Sequence, residues 1–145
     1  MSDGTVSSGE QGAQLVGVVL VSHSAAVAAS VADLARALIG GGGTVPVAAA
    51  GGTESGGLGT SAELITAAAR SVDRGAGVAV LTDLGSAVLT VKALLAEGDE
   101  LPDGTRLVDA PFVEGAVAAV VTASTGADLA AVEAAAAEAY TYRKV

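Results

Sequence analysis

The chain contains no cysteine. Disulfides, thiol nucleophiles, iron–sulfur clusters and cysteine-ligated zinc are therefore excluded. It has a single histidine, His23, so one chain cannot supply a three-histidine metal site. Aromatic residues make up only 2%, which leaves the core to Ala, Val, Leu and Ile. Basic residues are scarce: 7 against 16 acidic ones, for a formal net charge of −9. That balance argues against a nucleic-acid interface and against adsorption to anionic membranes. Every apolar run is broken by charge, Gly or Ser well before the ~18 residues of a membrane span. The N-terminus lacks the basic start and apolar centre of a secretory signal, and a cytoplasmic location is expected.

What remains is a chain of 145 residues, 51% apolar, enough for one domain with a real core. Residues 1–13 are polar and glycine-rich and read as a disordered leader, with one domain over 14–145. Leu15–Val21 is a continuous apolar run, the pattern of a strand covered on both faces. From Ser24 the period becomes helical, with Val27, Val31, Leu34 and Leu38 on the expected inner face and the glycines 40–43 as the stop. Thr44–Ala49 reads as a second strand, placed at a sheet edge by Pro46. Ala50–Gly59 reads as a loop. Thr60 followed by Glu63 is the signature of a capping box, opening a helix that buries Leu64, Ile65, Ala68 and Val72.

Val78–Thr82 is a third buried strand. Asp83–Gly85 turns into a helix with Val88, Val91, Leu94 and Leu95 on one face. After a polar loop over Gly98–Thr105, Arg106–Asp109 is a weak fourth strand. Helices over Phe112–Ala123 and Ala127–Tyr140 follow, the last with Leu129, Val132 and Ala136 inward. Alternating strands and helices imply an α/β fold, a doubly wound, mainly parallel four-stranded sheet with helices on both faces. The edge position of strand 2 and the apolar first strand give the order 2-1-3-4. Its switch point lies between strands 1 and 3, with His23 and Asp83 on opposite lips of one crevice.

His23 ends the first strand and begins a helix. That is the edge where open α/β sheets bind ligands and where helix N–H groups favour an anion. A capping or merely solvated histidine is the plain alternative. Two further loops reach the same edge: Gly51–Ser61, with Gly51, Gly52, Gly59, Thr60 and Ser61, and Asp83–Ala87, with Gly85 and Ser86. Each is also accounted for by ordinary helix capping. Asp83 has two readings, as the carboxylate that orients the His23 ring and as the N-cap of the following helix. No phosphate-binding G-x-x-x-x-G-K-[ST] loop and no dinucleotide fingerprint is present. Ser22 or Ser24 with His23 and Asp83 would make a poor hydrolase triad, because sequence neighbours rarely supply its geometry.

Val19–Ser24 (VLVSHS), Ala49–Gly52 (AAGG), Gly59–Ile65 (GTSAELI), Leu81–Leu89 (LTDLGSAVL) and Ala110–Ala119 (APFVEGAVAA) occur in order. Together they resemble the DhaM family, phosphotransferase subunits of phosphoenolpyruvate-dependent dihydroxyacetone kinases with a mannose-type enzyme IIA fold. The resemblance covers nearly all of Leu15–Tyr140. It implies that His23 accepts a phosphoryl group from the phosphocarrier HPr and passes it to ADP held by the DhaL subunit. The ATP so formed then phosphorylates dihydroxyacetone on DhaK. It implies Asp83 as the partner of His23, Nε2 as the phosphorylated atom and a homodimer. Ser22, Ser24, Gly51, Gly52, Gly59, Thr60, Ser61, Gly85 and Ser86 would contact phosphate or partner. No cofactor or metal is expected on this chain, since ADP, ATP and Mg²⁺ would sit on the partner subunit. None of the three loops contains Lys or Arg, so cationic help would also come from the partner. A mannose-type IIA domain serving a sugar permease is the alternative. A regulatory module that reports phosphorylation state without feeding a kinase is a third.

Overall fold

The computed structural model describes residues 14–39 and 44–145. Its elements are β1 (Gly17–Ser22), α1 (Ala25–Ile39), β2 (Val47–Gly51), α2 (Ala62–Val72), β3 (Val78–Thr82), α3 (Gly85–Glu97), β4 (Thr105–Leu107), α4 (Phe112–Ser124) and α5 (Leu129–Glu138). A 3₁₀ turn over Ala139–Thr141 follows. The sheet is entirely parallel, in the order β2-β1-β3-β4. The expected class and strand order are thus those observed. The leader over 1–13 and the glycine stop over 40–43 lie outside the described residues.

β1 has no polar residue until its last position and is buried throughout, because it runs through the centre of the sheet. Alternation still sorts its side chains. Val18 and Leu20 join Ala79 and Leu81 beneath α1, α4 and α5. Val19 and Val21 join Val78 and Val80 beneath α2 and α3. α1 and α2 therefore lie on opposite faces, which makes the sheet doubly wound. Pro46 lies just before β2, where its carbonyl accepts from the Val18 N–H at 2.9 Å and its missing donor costs the ladder nothing.

Several expected boundaries and faces shift. β3 has its expected limits, whereas β1, β2 and β4 begin and end one to three residues from theirs, and Ala50 and Gly51 belong to β2, not to the following loop. On α1 the expected inner stripe is largely wrong. Val27, Leu34 and Leu38 are exposed, and Ala28, Val31, Ala32 and Ala35 are buried. The cause is steric. α1 lies over the same layer as the small residues Ala116, Ala119 and Ala123 of α4, and short side chains let the helices approach closely. On α2, Ile65, Ala68 and Val72 are buried but Leu64 only partly. On α3, Val91 and Leu94 are buried, with Val88 and Leu95 half-buried.

Candidate functional site

Three successive carbonyls at and just past the end of β1 are taken by the two loops that flank the strand. Asp83 N–H donates to the Val21 carbonyl at 3.1 Å, Gly52 N–H to that of Ser22 at 3.1 Å, and Gly59 N–H to that of His23 at 2.9 Å. The order 2-1-3-4 makes this possible, because β1 leaves between the chain segments that follow β2 and β3. The backbone thereby pins the β2–α2 and β3–α3 loops around His23 before any side chain acts.

Asp83 is the centre of the side-chain network. Its Oδ2 accepts from the Ser22 hydroxyl at 2.8 Å and from the His23 N–H at 3.1 Å. Its Oδ1 lies 3.0 Å from His23 Nδ1 and accepts from the Leu84 N–H at 2.6 Å. Burial pushes the Asp83 pKa up. The His23 N–H, the Ser22 hydroxyl, the His23 ring and the Leu84 N–H outweigh that, so its carboxyl sits below the usual range. Asp83 is thus ionised at neutral pH and can only accept. The proton between it and the imidazole therefore belongs to Nδ1, and in neutral His23 the lone pair is on Nε2. The Ser86 hydroxyl is hydrogen-bonded to Nε2, at the first turn of α3. The His23 side chain keeps 24% of its surface exposed and that of Asp83 only 17%. The arrangement holds a partly exposed imidazole on Nδ1 and leaves the lone pair on Nε2, where the Ser86 hydroxyl meets it.

Of the two readings of Asp83, the helix N-cap is corrected. The cap position of α3 is Leu84, with no side-chain cap bond, and the carboxylate is directed to His23. The Thr60 capping box is corrected too. Ser61 is the N-cap of α2, accepting from the Leu64 N–H at 3.1 Å, and Thr60 Oγ1 lies 3.3 Å from Thr90 Oγ1 instead. Ser24 Oγ accepts from the Val27 N–H at 3.2 Å, as a cap of α1. Its own N–H donates to Ser22 Oγ at 3.0 Å. Ser22, His23, Asp83 and Ser86 therefore come together directly, whereas Ser24, Thr60 and Ser61 support the surrounding helix starts.

Two glycines are required by this packing. A Cβ on Gly51 would stand 2.4 Å from the Ser24 carbonyl oxygen. Gly52 has φ +71° and would clash with the Gly57 carbonyl at 2.6 Å. Gly85, by contrast, has open space at its Cβ position. Thr90, which the sequence reading missed, connects the β2–α2 loop to the first turn of α3. It bonds Thr60 and donates to the Ser86 carbonyl at 3.1 Å. Its one available signal was the helical i, i+4 spacing from Ser86.

Beside the site, a groove of about 440 Å³ is lined by Asp83, Leu84, Lys92, Asp109 and Tyr140, among others. Tyr140 donates to Asp109 Oδ1 at 2.7 Å, and that bond raises the phenol's pKa. Among the described residues no helix is long and apolar enough to cross a membrane.

Comparison with known proteins places this geometry. Residues 17–133 match the EIIA-man family model, described as the fructose IIA component of the phosphotransferase system. A Listeria innocua protein named as the phosphoryl donor subunit DhaM of dihydroxyacetone kinase 2 is 34% identical over 108 residues, 74% of this chain and 85% of its own. The Escherichia coli DhaM is 37% identical over 117 residues, 79% of this chain but only 25% of its own length. Four of the curated relatives are of that longer kind, and the chain spans about a quarter of each. Among solved structures, a protein of undescribed function superposes with a TM-score of 0.75 at 28% identity, covering 86% of this chain and 95% of the other.

Proposed function

The chain belongs to the EIIA-man family, and from that premise we propose that it is the phosphoryl-donor subunit of a phosphoenolpyruvate-dependent dihydroxyacetone kinase, with His23 as the carrier. The reading rests on one observation above all. His23 Nδ1 is tied to the Asp83 carboxylate at 3.0 Å, which leaves the lone pair on Nε2, beside the Ser86 hydroxyl, on a partly exposed ring.

In the proposed cycle the Nε2 lone pair attacks the phosphorus of phospho-HPr. The donor's N–P bond breaks as the new one forms. The Nδ1 proton stays between His23 and Asp83, and the carboxylate offsets the positive charge that develops on the ring. The transition state is loose, so positioning contributes more than covalent help. Ser86 must release Nε2 for attack, after which its hydroxyl can donate to a phosphoryl oxygen. In the second half the N–P bond breaks and an O–P bond forms to the β-phosphate of ADP on DhaL, where Mg²⁺ would sit. The ATP formed serves dihydroxyacetone on DhaK. This chain itself would hold no nucleotide or metal.

Labelling tests the carrier step. Phosphoenolpyruvate, enzyme I and HPr should add one acid-labile, base-stable phosphoryl group per chain. An acid-stable label would make a hydroxyl the acceptor and overturn the reading. Adding DhaL loaded with ADP tests the second step. ATP should appear, and its absence would favour the alternative of a IIA domain serving a sugar permease, which the fructose IIA description of the family supports, or a purely regulatory role. We also propose a homodimer. The exposed Val27, Leu34 and Leu38 of α1 offer an apolar stripe suited to it, and light scattering would show a monomer if this is wrong.

A further inference from the structure

The residues beside His23's own hydrogen-bond partners are apolar and turned outward. Leu58 immediately precedes Gly59, whose N–H holds the His23 carbonyl, and it is 81% exposed. Leu84, whose N–H bonds Asp83, is 61% exposed. Leu89, three residues beyond Ser86, is 68% exposed. Exposed leucines are ordinary one at a time. Three on segments that already touch His23 or Asp83 are an apolar surface with a location.

The loops that hold His23 carry no basic residue, and Lys92 of α3 is the one cation lining the adjacent groove among the described residues. The sequence carries no Lys or Arg between positions 1 and 35, between 37 and 69, or between 75 and 91. The β2–α2 loop and the start of α2 expose Glu54 and Glu63. A phosphoryl group adds about two further negative charges. The transferring group therefore meets no cation from the loops that hold His23, and a basic partner surface would supply counter-charge there.

We propose that Leu58, Leu84 and Leu89 form the docking face for the phosphoryl-donating partner. That partner is a protein surface with an apolar centre and a basic side chain beside its own phosphoryl group. The proposal rests on His23 being the carrier. It adds that partner affinity is set by these leucines and partner orientation by the acidic rim. Apolar contact gives short-range attraction without directional bonds, which suits a complex that must form and release in every cycle. Charge at the rim acts on encounter rate and is weakened by salt.

The test compares two phosphoryl donors on the same protein. Phospho-HPr has to dock, whereas phosphoramidate, a small-molecule donor, does not. Leu58→Ala with Leu89→Ala should lower kcat/KM for phospho-HPr by roughly tenfold or more, mainly through KM. Leu84→Ala should lower it by a smaller factor. Labelling by phosphoramidate should stay at the wild-type rate in each, which also shows that the site is intact. Val121→Ala, exposed near the C-terminal end of α4, should change neither rate. Glu54→Lys should flatten the salt dependence of the phospho-HPr rate. Wild-type rates from phospho-HPr in the leucine variants would overturn the proposal, as would equal losses with both donors. A wild-type protein that accepts from neither donor would refute the carrier reading, and the docking face would fall with it.

Discussion

The two rims of the sheet are built from similar residues and do different things. At the rim where β1 and β3 begin, Gly17 N–H donates to the Gly77 carbonyl and Val78 N–H to that of Gly104. The glycines there make turns and close packing, and a Cβ on Gly17 would stand 2.3 Å from the Val72 carbonyl oxygen. At the rim where the same strands end, Gly51 is as tightly confined, with the Ser24 carbonyl 2.4 Å from its would-be Cβ. Here, however, the space saved brings Ser22, His23 and Asp83 together across some sixty positions of sequence. Tight glycine packing therefore does not mark a site by itself. Arg106, at the start of β4, also pairs with the distant Glu133, so what separates the rims is a part-buried carboxylate that accepts four bonds and faces an imidazole.

The largest effect should come from the one residue that makes the second rim chemical. His23→Ala should abolish labelling by phospho-HPr and by phosphoramidate alike. The melting temperature should stay close to wild type, since the ring is partly exposed and lies outside both cores. Residual acid-labile label on this variant would erase the distinction between the rims.

Asp83→Asn should come next. An amide cannot offer the same acceptor set to Ser22, His23 and Leu84, and its NH₂ confronts donors. Loss of a charge-assisted bond of about 1.5–3 kcal/mol predicts a labelling rate lower by roughly ten- to a hundredfold. A rate within twofold of wild type would show that Nδ1 needs no carboxylate. Measuring the rate with phosphoramidate keeps partner docking out of the result.

The glycine pair tests the comparison head-on. Gly17→Ala and Gly51→Ala introduce nearly the same clash, and each should cost roughly 1–3 kcal/mol of stability by denaturant titration. Their effects on labelling should diverge. Gly17→Ala should label at the wild-type rate per folded molecule. Gly51→Ala, which displaces the Ser24–Ala25 backbone, should slow labelling severalfold. Equal rates would mean that the β1–α1 loop absorbs the shift without moving His23.

Much of this arrangement is legible in the sequence, for reasons tied to particular residues. Period and punctuation reveal the strands, and Pro46 with the unbroken run Leu15–Val21 gives the sheet order, hence the proximity of His23 and Asp83. The α1 stripe is not legible. Large aliphatics at 27, 34 and 38 have perfect helical spacing, but the alanines between them have it too, and only the close packing of α1 over the sheet decides which set turns inward. The cap of α2 is ambiguous for a similar reason, since Thr60 and Ser61 are both competent and Thr90 claims one of them. Leu58, Leu84 and Leu89 read as ordinary apolar residues, because exposure is a tertiary property.

The smallest expected effect is on acid stability. Asp83 has a pKa below that of an unfolded aspartate, so the native state resists protonating it. Its contribution is complete above the unfolded value of about 3.9 and disappears as pH falls through the lower folded value. Wild type and Asp83→Asn should therefore differ in unfolding free energy by a constant amount at neutral pH, and the gap should narrow only below about pH 4. The other carboxylates titrate in both proteins and cancel from the difference. At the opposite rim, Gly17→Ala alters no ionisable group, so its deficit should remain constant through the same range. A gap for Asp83→Asn that is equally flat down to pH 2 would mean that the carboxylate is no better solvated by its four donors than by water. The two rims would then differ in geometry but not in electrostatics.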